Sequence, residues 1–158
     1  MSIENFKGLM DGFDPAALLP NLDSVLSSLV PIARVAVLVG PVAMLVMGLI
    51  YLFLSPKEAN YYLGYRCYYG MGSVEAWRFT QRLAGIVWSA LGLVMGIAML
   101  VISGSFATLE TMELLWRTVY CVAAEGVLVL LAWIGVNTAV TARYDSRGDL
   151  RKQKKKRR

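Results

Sequence analysis

Three apolar blocks decide what this chain can fold into. They are IARVAVLVGPVAMLVMGLIYLFL from Ile32 to Leu54, LAGIVWSALGLVMGIAMLVI from Leu83 to Ile102, and VYCVAAEGVLVLLAWIGVNTAV from Val119 to Val140. Each has the ~20 residues that a helix needs to cross about 30 Å of hydrocarbon at about 1.5 Å per residue. None alternates polar and apolar residues as a barrel strand does, and a helix satisfies its own backbone in lipid. The remaining composition agrees: 17% of residues are charged, against about 25% in a soluble domain. The expected fold is an all-α integral membrane protein with three transmembrane helices. Residues 1–31 form an N-terminal segment, 32–142 a membrane domain with a polar loop at 55–82, and 143–158 a basic tail.

Charge orients the bundle. Nine of the sixteen Lys and Arg residues lie after position 142. Lys57, Arg66, Arg78 and Arg82 lie between the first two blocks, whereas only Lys7 faces Glu4, Asp11, Asp14 and Asp23 before Ile32. The positive-inside rule then predicts an outer N-terminus, with the first loop and the tail in the cytoplasm. No basic n-region precedes an early apolar stretch, so a cleavable signal peptide is not expected. Leu18, Leu22, Val25, Leu26 and Leu29 fall at helical spacing and predict a short amphipathic helix on the outer surface.

Several chemistries are excluded or weakened. The chain has no histidine, which removes Ser/His/Asp catalysis and His-rich zinc sites. Cys67 and Cys121 are expected near opposite faces, too far apart for a disulfide, hence free thiols. No cofactor and no metal is implied. Inside the third block Glu125 lies about 9 Å from the end, where a charge is costly and points to function by default. Arg34 is its nearest candidate cation. The pair can be a proton or ligand site, or a structural ion pair. Pro41 should kink the first helix. Gly92 and Gly96, with Gly85, allow close approach either within the bundle or between copies in a homo-oligomer.

The loop NYYLGYRCYYGMGSVEAWRFTQR, Asn60 to Arg82, is richer than a plain connection needs to be. Ser73 predicts an N-cap with Glu75 in the first turn, so the second helix should start about ten residues before its membrane block. Arg78 and Arg82 share one side of that extension. The tyrosines suit an aromatic belt at the headgroup level. An ion pair from Arg66 to Glu75 would tie the loop to the helix, or Arg66, Arg78 and Arg82 would hold a phosphate or carboxylate. The run RKQKKKRR suits contact with anionic inner-leaflet lipid, and nothing in it selects nucleic acid.

Asn60-x3-Gly64-x-Arg66, Ser73-x-Glu75-x-Trp77 and Arg82-x2-Gly85 resemble the signature of the SdpI-like family of small bacterial membrane proteins. That family is named for an immunity protein against a killing peptide. The resemblance implies a non-enzymatic multi-pass protein of the bacterial cell membrane, in toxin immunity or signalling, that binds a membrane-active peptide or a partner protein. It implies that Asn60, Gly64, Arg66, Ser73, Glu75, Trp77, Arg78, Arg82 and Gly85 build the recognition site. Two other expectations stand beside it: an accessory or scaffold subunit of a membrane complex, and a small enzyme working at the headgroups through Glu75 and Asn60.

Overall fold

The structure is a computed structural model and describes residues 22–60 and 62–151, with side chains of the first helix described from Ser28. Three long helices carry it: α1 (Leu22–Phe53), α2 (Val74–Gly104) and α3 (Thr111–Arg143). Short 3-10 turns follow at Tyr69–Met71 and Ser105–Thr108. All three long helices have the length and apolar composition to cross a membrane, so the expected number of spans is met.

Each helix overruns its apolar block, for local reasons. α2 begins early because the Ser73 hydroxyl accepts the Ala76 N–H at 3.1 Å, filling an otherwise orphaned donor. α1 reaches back to Leu22 through Pro31. Pro31 removes one intrahelical donor and no glycine lies between positions 22 and 39, so the turn survives. The described part of the amphipathic stretch is therefore continuous with the first membrane helix and is not a separate surface helix. Leu18 lies outside the described residues, as do the rest of 1–21 and the tail after Arg151.

α1 and α2 form a tight antiparallel pair. A Cβ at Gly92 would stand 2.5 Å from the Leu45 N and 2.8 Å from the Pro41 carbonyl. One at Gly85 would meet Leu52 Cγ at 2.5 Å and the Gly48 carbonyl at 3.0 Å. Gly48 in turn faces the backbone of Ser89. The seam anticipated from Gly85 and Gly92 thus lies within the chain, while Gly96 is only in ordinary contact with Pro41, at 3.7 Å.

α3 lies against this pair through a narrow strip. Cys121 packs with Val37, Met99 and Phe106, Ala132 with Met44 and Met95, and Val136 and Val140 with Tyr51 and Ala84. These three clusters stack along the bundle, so α3 runs parallel to α1. Cys67 belongs with the last cluster and Cys121 with the first, and both are free thiols. Only 22–28% of each span is buried. Large apolar side chains such as Val42, Leu93, Ile97 and Leu131 point outward, the arrangement that lipid as solvent favours.

Overpacking the seam should be felt at once. Gly92→Val is expected to cost about 1–3 kcal/mol, since a rigid branched side chain meets backbone and not a flexible tip. Gly126 has nothing within 4 Å of its Cβ position, so Gly126→Ala should be neutral or slightly stabilising. Thermal unfolding of both variants in mild detergent measures the difference.

Candidate functional site

The long loop between α1 and α2 folds back as a tied structure. The Asn60 Oδ1 accepts the N–H groups of Tyr62 and Leu63, the latter at 3.2 Å, a local turn typical of Asn. Gly64 follows with φ +116°, and a Cβ there would meet the Trp77 ring at 2.7 Å, so two independent constraints require glycine. Trp77 is fully buried and its Nε1–H donates to the Pro56 carbonyl at 2.8 Å. Gln81, also buried, accepts the Tyr65 N–H at Oε1 and donates from Nε2 to the Tyr65 carbonyl, both at 2.7 Å.

Tyr65 is then pressed into the bundle. Its ring meets Tyr51 of α1 edge-on at 5.8 Å and Trp88 of α2 at 6.2 Å, and its hydroxyl donates to the Trp133 carbonyl of α3 at 3.4 Å. Burial pushes that hydroxyl up to about 12; Cys67 and Tyr51 add to the effect and a bond with Asn137 opposes it. Burial likewise raises the Cys67 thiol, against the opposing bonds from Gly70 and Thr80. Tyr62 and Tyr68 stay exposed, as a headgroup belt requires, but Tyr65 does not belong to that belt.

The segment after α3 completes the same face. Asp145 to Arg151, read from sequence as the start of the tail, turn back onto the motif. Asp145 Oδ1 accepts the N–H groups of Arg147 and Asp149, each at 2.9 Å, and Gly148 sits at φ +81°. The Ser73 hydroxyl, already capping α2, donates to the Gly148 carbonyl at 2.8 Å. The Arg143 guanidinium lies 4.6 Å over the Phe79 ring, and that of Arg151 lies 5.9 Å from the centre of Tyr69.

The motif therefore divides in two. Asn60, Gly64, Ser73, Trp77 and Gly85 are absorbed in turns, caps and packing. Arg66, Glu75, Arg78 and Arg82 stand exposed. The salt bridge found among the described residues joins Glu113 to Arg117 at 3.0 Å, on the far side of the bundle. The expected Arg66–Glu75 pair is thus not what ties the loop. The neutral Gln81 does, because an amide can serve a buried N–H and C=O together, as a carboxylate cannot.

Arg78 and Arg82 form a ridge between two clefts. One, of about 210 Å³, opens between the end of α1 and the start of α2 and is lined by Lys57, Arg78 and Arg82 with Ser55, Gln81 and Tyr51. The other, of about 300 Å³, is lined by Glu75, Phe79, Arg143 and Tyr144 with the same two arginines. Sequence reasoning passed over Lys57, Gln81, Phe79 and Arg143 as site residues. A signal for Gln81 was present, since positions 77, 81 and 84 share one face and 81 is the polar member.

Arg34 and Glu125 are not brought together as expected. Arg34 Nε donates to the Ser103 carbonyl at 3.1 Å, where the end of α2 presents carbonyl acceptors and a negative dipole. Glu125 is 5% exposed and lies against Gly40, whose Cβ position is 2.5 Å from Oε2. Gly40 is about 9 Å along α1 from Arg34. Oε1 of Glu125 has no hydrogen-bond partner among the described residues.

Comparison with known proteins places this arrangement. The family model described as the SdpI/YfhL protein family matches residues 56–140, more than half of the chain. The chain belongs to the SdpI/YfhL family. The matched region starts at Pro56, whose carbonyl holds Trp77, and runs through the tied loop and α2 to Val140 of α3. No curated protein and no solved structure gives a match. Family membership and three apolar helices together make this a multi-pass membrane protein.

Two outcomes test the site's construction. Gln81→Leu leaves the Tyr65 N–H and C=O buried without partners, at about 1–3 kcal/mol each. Hydrogen exchange over residues 60–70 should rise while helix content by circular dichroism stays unchanged. Backbone N–H bonds from Asp149 and Arg147 hold the Asp145 carboxyl below the usual 3.8. A depressed carboxyl stabilises the fold above the unfolded-state value of about 4 and loses that effect as pH falls through the folded value. The amide resonances of Arg147 and Asp149 should therefore titrate with a midpoint below that of a free aspartate, and Asp145→Ala should abolish the titration.

Proposed function

We propose that this SdpI/YfhL-family protein works by recognition: it binds a membrane-active peptide or a partner protein at the motif end of the bundle, in toxin immunity or signalling. One observation carries the reading. The uncharged residues of the motif are spent on a base of turns, caps and packing, and Glu75, Arg78 and Arg82 project from that base into a cleft. That second cleft offers Glu75, three arginines and two aromatic rings. Both charge signs next to aromatic surface suit a folded or membrane-bound peptide, whose carboxylates, amines and apolar side chains each find a counterpart.

Positive-inside charge supports a cytoplasmic position for this face, in a bacterial plasma membrane. The basic tail would then lie along anionic inner-leaflet lipid, each cation contributing about 1 kcal/mol near the surface. On this reading the membrane helices serve as a mount and the exposed charges decide the partner.

Survival of cells exposed to a secreted membrane-active killing peptide tests it. Expression of the full chain should raise the surviving fraction. Glu75→Gln with Arg143→Gln should lose most of that protection at equal membrane levels, since two central contacts at about 1 kcal/mol or more each weaken binding about tenfold or beyond. Survival no better than the empty vector, with the protein inserted and folded, across the killing peptides encoded beside its gene, would sink immunity. Failure of any protein to co-purify with the wild-type chain in mild detergent would then also sink signalling.

A further inference from the structure

We infer that the cleft between the end of α1 and the start of α2 is a phosphate site, and that its occupant is the headgroup of an anionic phospholipid whose acyl chain lies along the α1–α2 seam. The cleft borders the one assigned to a peptide or protein partner along Arg78 and Arg82, while Lys57 lines this one alone. Its lining holds Lys57, Arg78 and Arg82 and no carboxylate. Among the described residues these three cations form no salt bridge, so the charge is available to an anion. The Ser55 hydroxyl and the Tyr51 and Gln81 side chains border the same space. Arginine forks and a lysine ammonium are the donors that phosphate oxygens take up best.

A second observation chooses lipid over a soluble phosphate. A groove of about 260 Å³ runs down the same pair of helices, lined by Leu38, Leu45, Leu93, Ile97 and Leu100 with Gly92 at its floor. On α1, positions 38, 45 and 52 succeed one another at seven-residue steps, a near-repeat of the helix, and Leu52 lines the cationic cleft. On α2, Arg82, Leu93 and Leu100 fall within about 20° of one direction at 100° per residue. Cleft and groove thus occupy one flank, with the charged part at the membrane boundary and the apolar part beneath it. α3 packs through Val37, Met44 and Tyr51 of α1; Leu38 is half-buried beside the Val37 cluster, whereas Leu45 and Leu52 belong to none of the three clusters that hold α3. The depth from Leu52 to Val42 is ten residues, or about 15 Å, the reach of an acyl chain within one leaflet. The small residues of the seam create the groove by letting the helix backbones approach, so packing and lipid site share one cause.

Native mass spectrometry of the full chain tests this, with phosphatidylglycerol and phosphatidylcholine of equal chain length added to the micelle. The wild type should retain phosphatidylglycerol in clear preference. Lys57→Gln with Arg82→Gln should reduce that retention about tenfold, while Arg117→Gln, on the far side, should leave it unchanged; circular dichroism confirms that each is folded. Equal retention of the two lipids by the wild type, or undiminished phosphatidylglycerol retention by the double variant, overturns the site. Displacement by millimolar inorganic phosphate or glycerol phosphate would overturn the lipid assignment, because a headgroup held with its chain resists a soluble competitor. These readouts involve no peptide, so they stand or fall apart from immunity.

Discussion

A single amide holds the motif end together. Gln81 closes on both backbone groups of Tyr65 at 2.7 Å each, in a place where neither group could otherwise find water. An unmatched buried amide costs about as much as a whole hydrogen bond yields, so the pairing is strongly selected over alternatives. Everything else at this end follows from it. Tyr65 is delivered to the junction of α1, α2 and α3, Gly64 must be glycine to let Trp77 pass beneath, and the cations are left facing outward.

The charges and the fold divide their labour. Helix packing here uses close backbone contact at Gly48, Gly85 and Gly92, which is what lipid rewards when no hydrophobic force separates helix from tail. The ion pairs that a soluble protein spreads over its surface are nearly missing from the described residues. Among the described residues Lys57, Arg78 and Arg82 form no salt bridge, and their field acts on what lies outside the bundle.

Much of this was legible beforehand. Apolar length reported three spans, Ser73 with Glu75 reported where α2 begins, and the ordered motif reported the family. The ties inside the loop were not legible, for a physical reason. Local spacing shows which residues share a helix face, but not which backbone group a folded-back loop presents to them. Arg66 and Glu75 looked complementary by charge, whereas the tie is made beside them at the buried Tyr65, where a neutral donor and acceptor serve both backbone groups. For the same reason Arg34 was matched with Glu125 on sign alone, although the Ser103 carbonyl at the end of α2 is what it reaches. Glu125 remains a buried carboxyl against Gly40 whose presence was plain in the sequence and whose surroundings were not.

The Ser73 hydroxyl has a consequence for how the protein loosens. Helix ends and chain ends ordinarily fray independently of one another. Here one oxygen takes the Ala76 N–H while its proton goes to Gly148, so the first turn of α2 and the hairpin after α3 share a latch. Unwinding either one releases the other, and two separate small openings become one concerted step.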